Sequence, residues 1–197
     1  MGVNASRRTR RSDALANHER LLAAAAVAIK QRGERVPMAE LAALAGVGVG
    51  TLYRHFPTRE HLFEALIRRS FQTVLARVQV AGAMPGDATY AIAWFLHETI
   101  AHRDQLILPL HGAPPILDTT STQLQHQIRA ELSALLARGR EDGSVRDGVT
   151  AEDLVTAGAM LAQPLPTVED WDARADRLAQ IFLAGLRPSH SIRKSDS

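Results

Sequence analysis

Apolar residues recur every three or four positions along most of the chain, which is the spacing that places them on one face of an α-helix. The first such segment spans residues 13–32 and is followed by Gly33, a residue that often ends helices. Two short segments follow at 38–45 and 49–55. The alternation of apolar and polar positions that is typical of a half-buried strand is absent. The pattern therefore predicts an all-α fold.

Longer apolar faces continue beyond these short segments. One runs through residues 58–80, and others resume after the Gly- and Pro-containing stretch 81–87. The pattern predicts five parts. These are a flexible basic arm (1–12), a three-helix domain (13–57), a connecting helix (58–80), a second helical domain (81–187) and a disordered tail (188–197).

The charged residues are distributed unevenly between the two ends of the chain. Residues 1–80 contain 13 Lys and Arg against 6 Asp and Glu, whereas residues 81–197 contain 10 against 15. Attraction to phosphate is local and is screened beyond about 8–10 Å. A basic end joined to an acidic end therefore favours nucleic acid as a partner of the first part, although a run of solvated arginines gives the same count.

Residues 38–55 have the spacing of a helix-turn-helix, in which the second helix can enter a major groove of DNA. Ala42 and Gly46 are small enough to let the two helices cross closely, and Leu52 and Phe56 supply apolar contacts that fix their angle. The positions left exposed are suited to phosphates and base edges. Those that we predict to contact double-stranded DNA are Val49, Gly50, Thr51, Tyr53, Arg54 and His55.

Residues 39–66, AELAALAGVGVGTLYRHFPTREHLFEAL, resemble the TetR family of bacterial transcriptional regulators. The resemblance implies that Thr51, Tyr53 and His55 contact the DNA backbone or bases. It also places Arg59 where the family usually has a phosphate-binding lysine, while Arg54 can instead be a solvated charge. The chain departs from the family pattern at Gly48 and Val49, which replace the usual Ser and Lys.

From the same uneven charge distribution we predict that four arginines near the N-terminus contact DNA. They are Arg7, Arg8, Arg10 and Arg11. They can restore the missing cation by lying along the DNA backbone or entering a minor groove. A tail that only increases solubility has the same composition.

The family resemblance also implies a homodimer whose last two helices pack against those of a second copy. Small and apolar residues in both helices allow such packing. The predicted interface residues are Leu154, Gly158, Leu161, Leu178 and Phe182. A core within a single chain explains the same pattern.

The segment 88–142 is rich in aromatic and histidine side chains, and apolar walls with a few polar groups suit a small organic effector. The residues that we predict to line an effector site are Trp94, His97, His111 and His126. Core aromatics and surface histidines are the alternative.

The chain lacks the residues that several other classes of function require. The chain has no cysteine, which excludes disulfides and thiolate catalysis. His97 and His102 are one residue too far apart for a zinc hydrolase, and no nucleotide loop or nucleophile motif is found. We therefore expect no catalytic residues, metal or cofactor, and no membrane segment.

The resulting prediction is a cytoplasmic TetR-like regulator, a repressor that binds a palindromic operator as a homodimer and is released by a small-molecule effector. The alternative is a constitutive DNA-binding protein without an effector, in which the C-terminal half serves only for dimerisation.

Overall fold

A computed structural model describes the backbone of residues 2–33, 35–107, 118–165 and 167–188, with side chains from Asn17 onward. In these ranges the protein forms eight α-helices and no β-strand, which confirms the all-α prediction. The helices are α1 (Gly2–Arg32), α2 (Met38–Leu44), α3 (Val49–His55), α4 (Arg59–Ala83), α5 (Ala88–Ala101), α6 (Thr119–Glu141), α7 (Ala151–Leu161) and α8 (Trp171–Leu186). None of the described helices is long and apolar enough to span a membrane.

Helix α1 is longer than the sequence analysis predicted. It begins at Gly2, so the segment 2–12, expected as a flexible arm, continues the helix that was predicted from residue 13. The physical reason is the absence of a helix breaker between Gly2 and Gly33 and the presence of several Ala and Arg residues, which favour helix. The arm arginines therefore lie on the first turns of α1.

The first of two compact units comprises Met1–Ser70 together with Asp104–Asp118. Its core includes buried apolar side chains from α1 to α4, among them Leu21, Leu41, Leu52 and Leu66. The buried Ser70 hydroxyl donates a hydrogen bond to the Leu66 carbonyl and accepts one from the Ile107 amide, both at 2.8 Å. The hydrogen bond from the Ile107 amide to Ser70 ties the later segment of the unit to α4.

The second unit comprises Phe71–Arg103 and Thr119–Ser197. Helices α5 to α8 pack in it, and the indole Nε1 of Trp171 donates to the Leu161 carbonyl at 3.0 Å. Thr150 and Asp153 form a capping box at the start of α7.

The division into units differs from the expected one, in which all of residues 81–187 formed a single domain. Segment 104–118 belongs with the first unit because Ser70 bonds Ile107 and Arg68 pairs with Asp118. Helix α4 is shared by both units. The predicted tail lies outside the described residues beyond Pro188.

Candidate nucleic-acid interface

The turn between α2 and α3 depends on a glycine with a positive φ. Gly46 has φ +67°, a left-handed conformation that glycine adopts without steric cost. Its amide donates to the Ala43 carbonyl and the Val47 amide donates to the Ala42 carbonyl, each at 3.0 Å. These two bonds form a Schellman motif, which ends α2 and sets the direction in which the chain enters α3.

Helix α3 is held against its unit by one face. Leu52 is its buried residue, with 0% of its surface exposed, and Phe56 is buried at the end of the helix. The predicted bounds of this helix, 49–55, are confirmed. With one face fixed, the opposite face of α3 is presented to solvent.

The solvent-facing side of α3 carries most of the predicted contact residues. Val49 and Tyr53 are 40% and 46% exposed, and Gly50 and Arg54 are exposed as well. Val49 and Tyr53 are four residues apart and so share one face of the helix. Thr51 is partly buried.

His55 is partly buried and takes part in the packing of α3. Its ring centroid lies 5.7 Å from that of His18 on α1 and 6.2 Å from that of Phe56. Burial lowers the pKa of His18 below its ordinary value, and the nearby His55 lowers it further. The neutral imidazole of His18 is therefore favoured, and His55 helps to hold α3 on α1.

Arg59 makes contacts within its own unit. Its Nη1 donates to the Val36 carbonyl at 2.6 Å, and its guanidinium carbon lies 5.1 Å from the centroid of the Phe63 ring. The side chain thus joins the first turn of α4 to Val36, two residues before α2. A phosphate-binding role for Arg59, predicted from the resemblance, has to coexist with this contact. Its Nη2 is buried and has no hydrogen-bond partner among the described residues.

Comparison with known proteins identifies the family. Residues 21–66 match the model described as bacterial regulatory proteins, tetR family, and residues 91–188 match that of the SbtR-like transcriptional regulator C-terminal domain. The HTH-type transcriptional regulator NfxB of Pseudomonas aeruginosa is 33% identical over 140 residues, which are 70% of this chain and 74% of NfxB. This chain is a member of the TetR family. It is therefore a DNA-binding transcriptional regulator with a helix-turn-helix, and the family consists of regulators rather than enzymes.

Two further similar proteins add detail about the family. The HTH-type transcriptional repressor KstR of Mycobacterium tuberculosis is 28% identical over 137 residues, 67% of this chain and 62% of KstR. AibR, whose crystal structure is a complex with isovaleryl coenzyme A and operator DNA, aligns with a TM-score of 0.65 at 17% identity over 87% of this chain and 98% of AibR. The likeness to AibR shows the shared TetR-family fold.

In this TetR-family regulator the predicted effector residues differ in their surroundings. Trp94 is partly buried on α5, whereas His97 and His126 are exposed. The His97 Nδ1 lies 3.6 Å from the Asp176 Oδ1 on α8, so His97 faces that helix. His111 lies outside the described residues.

A charged group that was not predicted from the sequence lies between α4 and α5. The Arg77 Nε lies 3.8 Å from the Glu98 Oε2, which is also 3.4 Å from the His102 Nδ1. Burial lowers the pKa of Arg77, and Glu98 partly opposes that effect. No periodic signal indicates such a pair, because both residues sit at the border of apolar faces.

The predicted dimer residues fall into two groups. Leu154, Gly158 and Leu161 are buried within the chain, where they pack in the second unit. This result corrects their assignment to an intermolecular surface. The physical reason is that α7 must first cover its own unit, and the buried Leu161 packs in one cluster with Trp171 of α8.

Leu178 is exposed and Phe182 is partly buried. Other apolar residues of the last two helices are exposed as well. They are Val155, Met160 and Ile181.

Proposed function

We propose that this TetR-family regulator binds a pseudo-palindromic operator as a homodimer, represses transcription from it and releases it when a small organic effector binds. The observation that carries the proposal is the exposed face of α3 on a helix fixed by Leu52 and Phe56. Two copies of α3 enter successive major grooves when they stand about 34–36 Å apart. Such a regulator works in the cytoplasm, where bacterial DNA lies.

The test is fluorescence anisotropy of the full chain on DNA from upstream of its own gene and on scrambled DNA, at two salt concentrations. We expect specific, salt-sensitive binding with two chains per site. Equal affinity for both DNAs, after in vitro selection has also yielded no preferred sequence, would contradict the proposal.

The dimer is proposed to form through exposed apolar residues of α7 and α8. Val155, Met160, Leu178 and Ile181 are all exposed on these helices although they are apolar. A cleft of about 530 Å³ runs along α8 beside Ile181. Side chains of a second copy can fill such a cleft, and apolar exposure of this kind is typical of an interaction surface.

Replacing Ile181 with Asp is expected to convert the dimer into a monomer, because this apolar side chain is 61% exposed on α8, one turn from the exposed Leu178. Operator affinity should fall about tenfold or more, since bivalent binding is lost. Light scattering and anisotropy measure the two effects. Val80→Asp is the matched control, because Val80 is an exposed apolar residue that belongs to α4 and not to α7 or α8. A dimeric Ile181→Asp protein would refute the assignment.

Repression and the binding of a small-molecule effector are supported by the relatives. KstR is a transcriptional repressor, and AibR has been crystallised with both an acyl-coenzyme A and operator DNA. For this chain we propose the second unit as the effector-binding part, with Trp94 as its partly buried aromatic residue. An effector lowers the affinity for the operator only to the extent that it binds more tightly to a conformation with lower DNA affinity. We propose no catalytic step.

The arginines at residues 7, 8, 10 and 11 are proposed to contact phosphates. Replacing all four with Ala should reduce the slope of log affinity against log salt by about 0.9 for each phosphate contact that is lost. The matched control replaces the same four with Lys, which keeps the charge and should keep the slope. If the Ala variant keeps the full slope in anisotropy titrations, the arm does not contact DNA.

A further inference from the structure

The N-cap and the first two residues of the recognition helix α3 have no side chain that can hydrogen-bond to a base. Gly48, Val49 and Gly50 are consecutive and exposed, and the N-cap Gly48 makes no side-chain cap. In helix-turn-helix proteins the N-terminal residues of this helix contact the base edges. Side-chain readout by residues 48–50 must therefore be apolar, and Thr51 is the first residue of the helix that offers a hydroxyl.

The described part of the chain leaves open space around both glycines. A Cβ atom at Gly48 or Gly50 would meet no described protein atom within 4 Å, and neither residue has a positive φ. Gly48 is the N-cap of α3, a position that glycine commonly occupies, but Gly50 lies inside the helix, where glycine costs stability relative to alanine. The helix therefore gains nothing from a glycine at position 50, which indicates that an external surface approaches the backbone here.

Val49 is the side chain that projects between these glycines. It shares the exposed face of α3 with Tyr53, one turn later, so that both can meet the same groove. The apolar group that a base pair presents in the major groove is the C5-methyl of thymine. The branched side chain of Val49 is stiff, which limits the conformational entropy that it loses on contact.

We infer that Val49 determines specificity by packing its methyl groups against the C5-methyl of one thymine in each operator half-site. Gly48 and Gly50 allow the backbone to come close enough for this contact. The inference rests on the proposed operator binding and adds which chemical group of the operator is recognised.

The test uses the full chain and a DNA site obtained with it by in vitro selection. Each thymine is replaced in turn by deoxyuridine, which removes the methyl group and leaves the hydrogen-bonding groups unchanged. We expect one symmetry-related position at which the loss of affinity is about fourfold per half-site. In Val49→Ala this sensitivity should disappear, while in the control Val80→Ala it should remain.

A second variant separates the DNA contact from protein stability. Gly50→Ala should leave thermal stability unchanged or raise it, because its Cβ meets nothing, yet it should weaken operator binding by keeping the backbone away from the bases. Gly82→Ala is the control, a helical glycine on α4 with equally open space. It should leave operator affinity unchanged.

The inference is overturned if deoxyuridine has no effect at any position, or if Val49→Ala keeps the same sensitivity as the wild type. Unchanged operator affinity in Gly50→Ala also overturns it. A selection that yields no preferred sequence instead contradicts the proposed function itself, so the two failures are distinguishable.

Discussion

Replacing Leu52 with Ala is expected to lower the free energy of unfolding by about 2–5 kcal/mol and to remove specific DNA binding. Leu52 is 0% exposed and is the buried residue through which α3 is held in the first unit. Truncation leaves a cavity beneath a helix of only seven residues, which is too short to be stable without packing. Far-UV circular dichroism during chemical unfolding measures the stability, and anisotropy measures the binding.

Leu44→Ala is the matched control for Leu52→Ala. Leu44 ends α2 in the same unit but is 48% exposed, so its truncation should cost about 0.5 kcal/mol or less and leave DNA binding intact. Similar effects of the two substitutions would show that α3 is positioned by something other than Leu52.

The helix-turn-helix was predicted closely because its signals are local. Gly46 allows the left-handed turn, and its motif of two hydrogen bonds joins residues close in sequence. Leu52 and Phe56 were predicted to be buried from their spacing alone, and both are. Local backbone chemistry and one apolar face are sufficient to define such a motif.

Arg59 shows where local signals are insufficient. Its sequence position indicated a DNA contact, but its guanidinium donates to the carbonyl of Val36, 23 residues away. A hydrogen bond over that separation depends on how α4 meets the segment before α2. No periodicity in the sequence carries that information.

The last two helices show a second limit of sequence reasoning. Helix α7 carries a buried face with Leu154 and Leu161, while Val155 and Met160 are exposed on either side of it. The sequence shows that all four positions are apolar but not which of them the chain covers itself. The structure distinguishes them because α5, α6 and α8 pack on α7, cover Leu154 and Leu161 and leave Val155 and Met160 exposed.

Replacing Gly139 with Ala should lower the free energy of unfolding by about 1–3 kcal/mol, in spite of the usual gain from removing a helical glycine. A Cβ at Gly139 of α6 would lie 2.4 Å from the Val145 Cγ2 and 2.9 Å from the Ala88 Cβ. Neither neighbour can easily move. Val145 is buried and its amide donates to the Gly139 carbonyl at 2.8 Å, and Ala88 begins α5 as a buried residue.

Gly158→Ala in α7 is the matched control for Gly139→Ala, since it makes the same change at another buried helical glycine. There the new Cβ would be 3.7 Å from the Leu96 Cδ2 and 3.9 Å from the Thr99 Cγ2, which is ordinary contact. Stability should therefore stay the same or rise by up to about 1 kcal/mol. Thermal and chemical unfolding of both variants measure the difference in sign. Stabilisation of both variants would contradict this prediction. It would mean that the turn between α6 and Val145 leaves room for a methyl group. It would also mean that the close approach of α6 to Ala88 of α5 does not determine the packing of this unit.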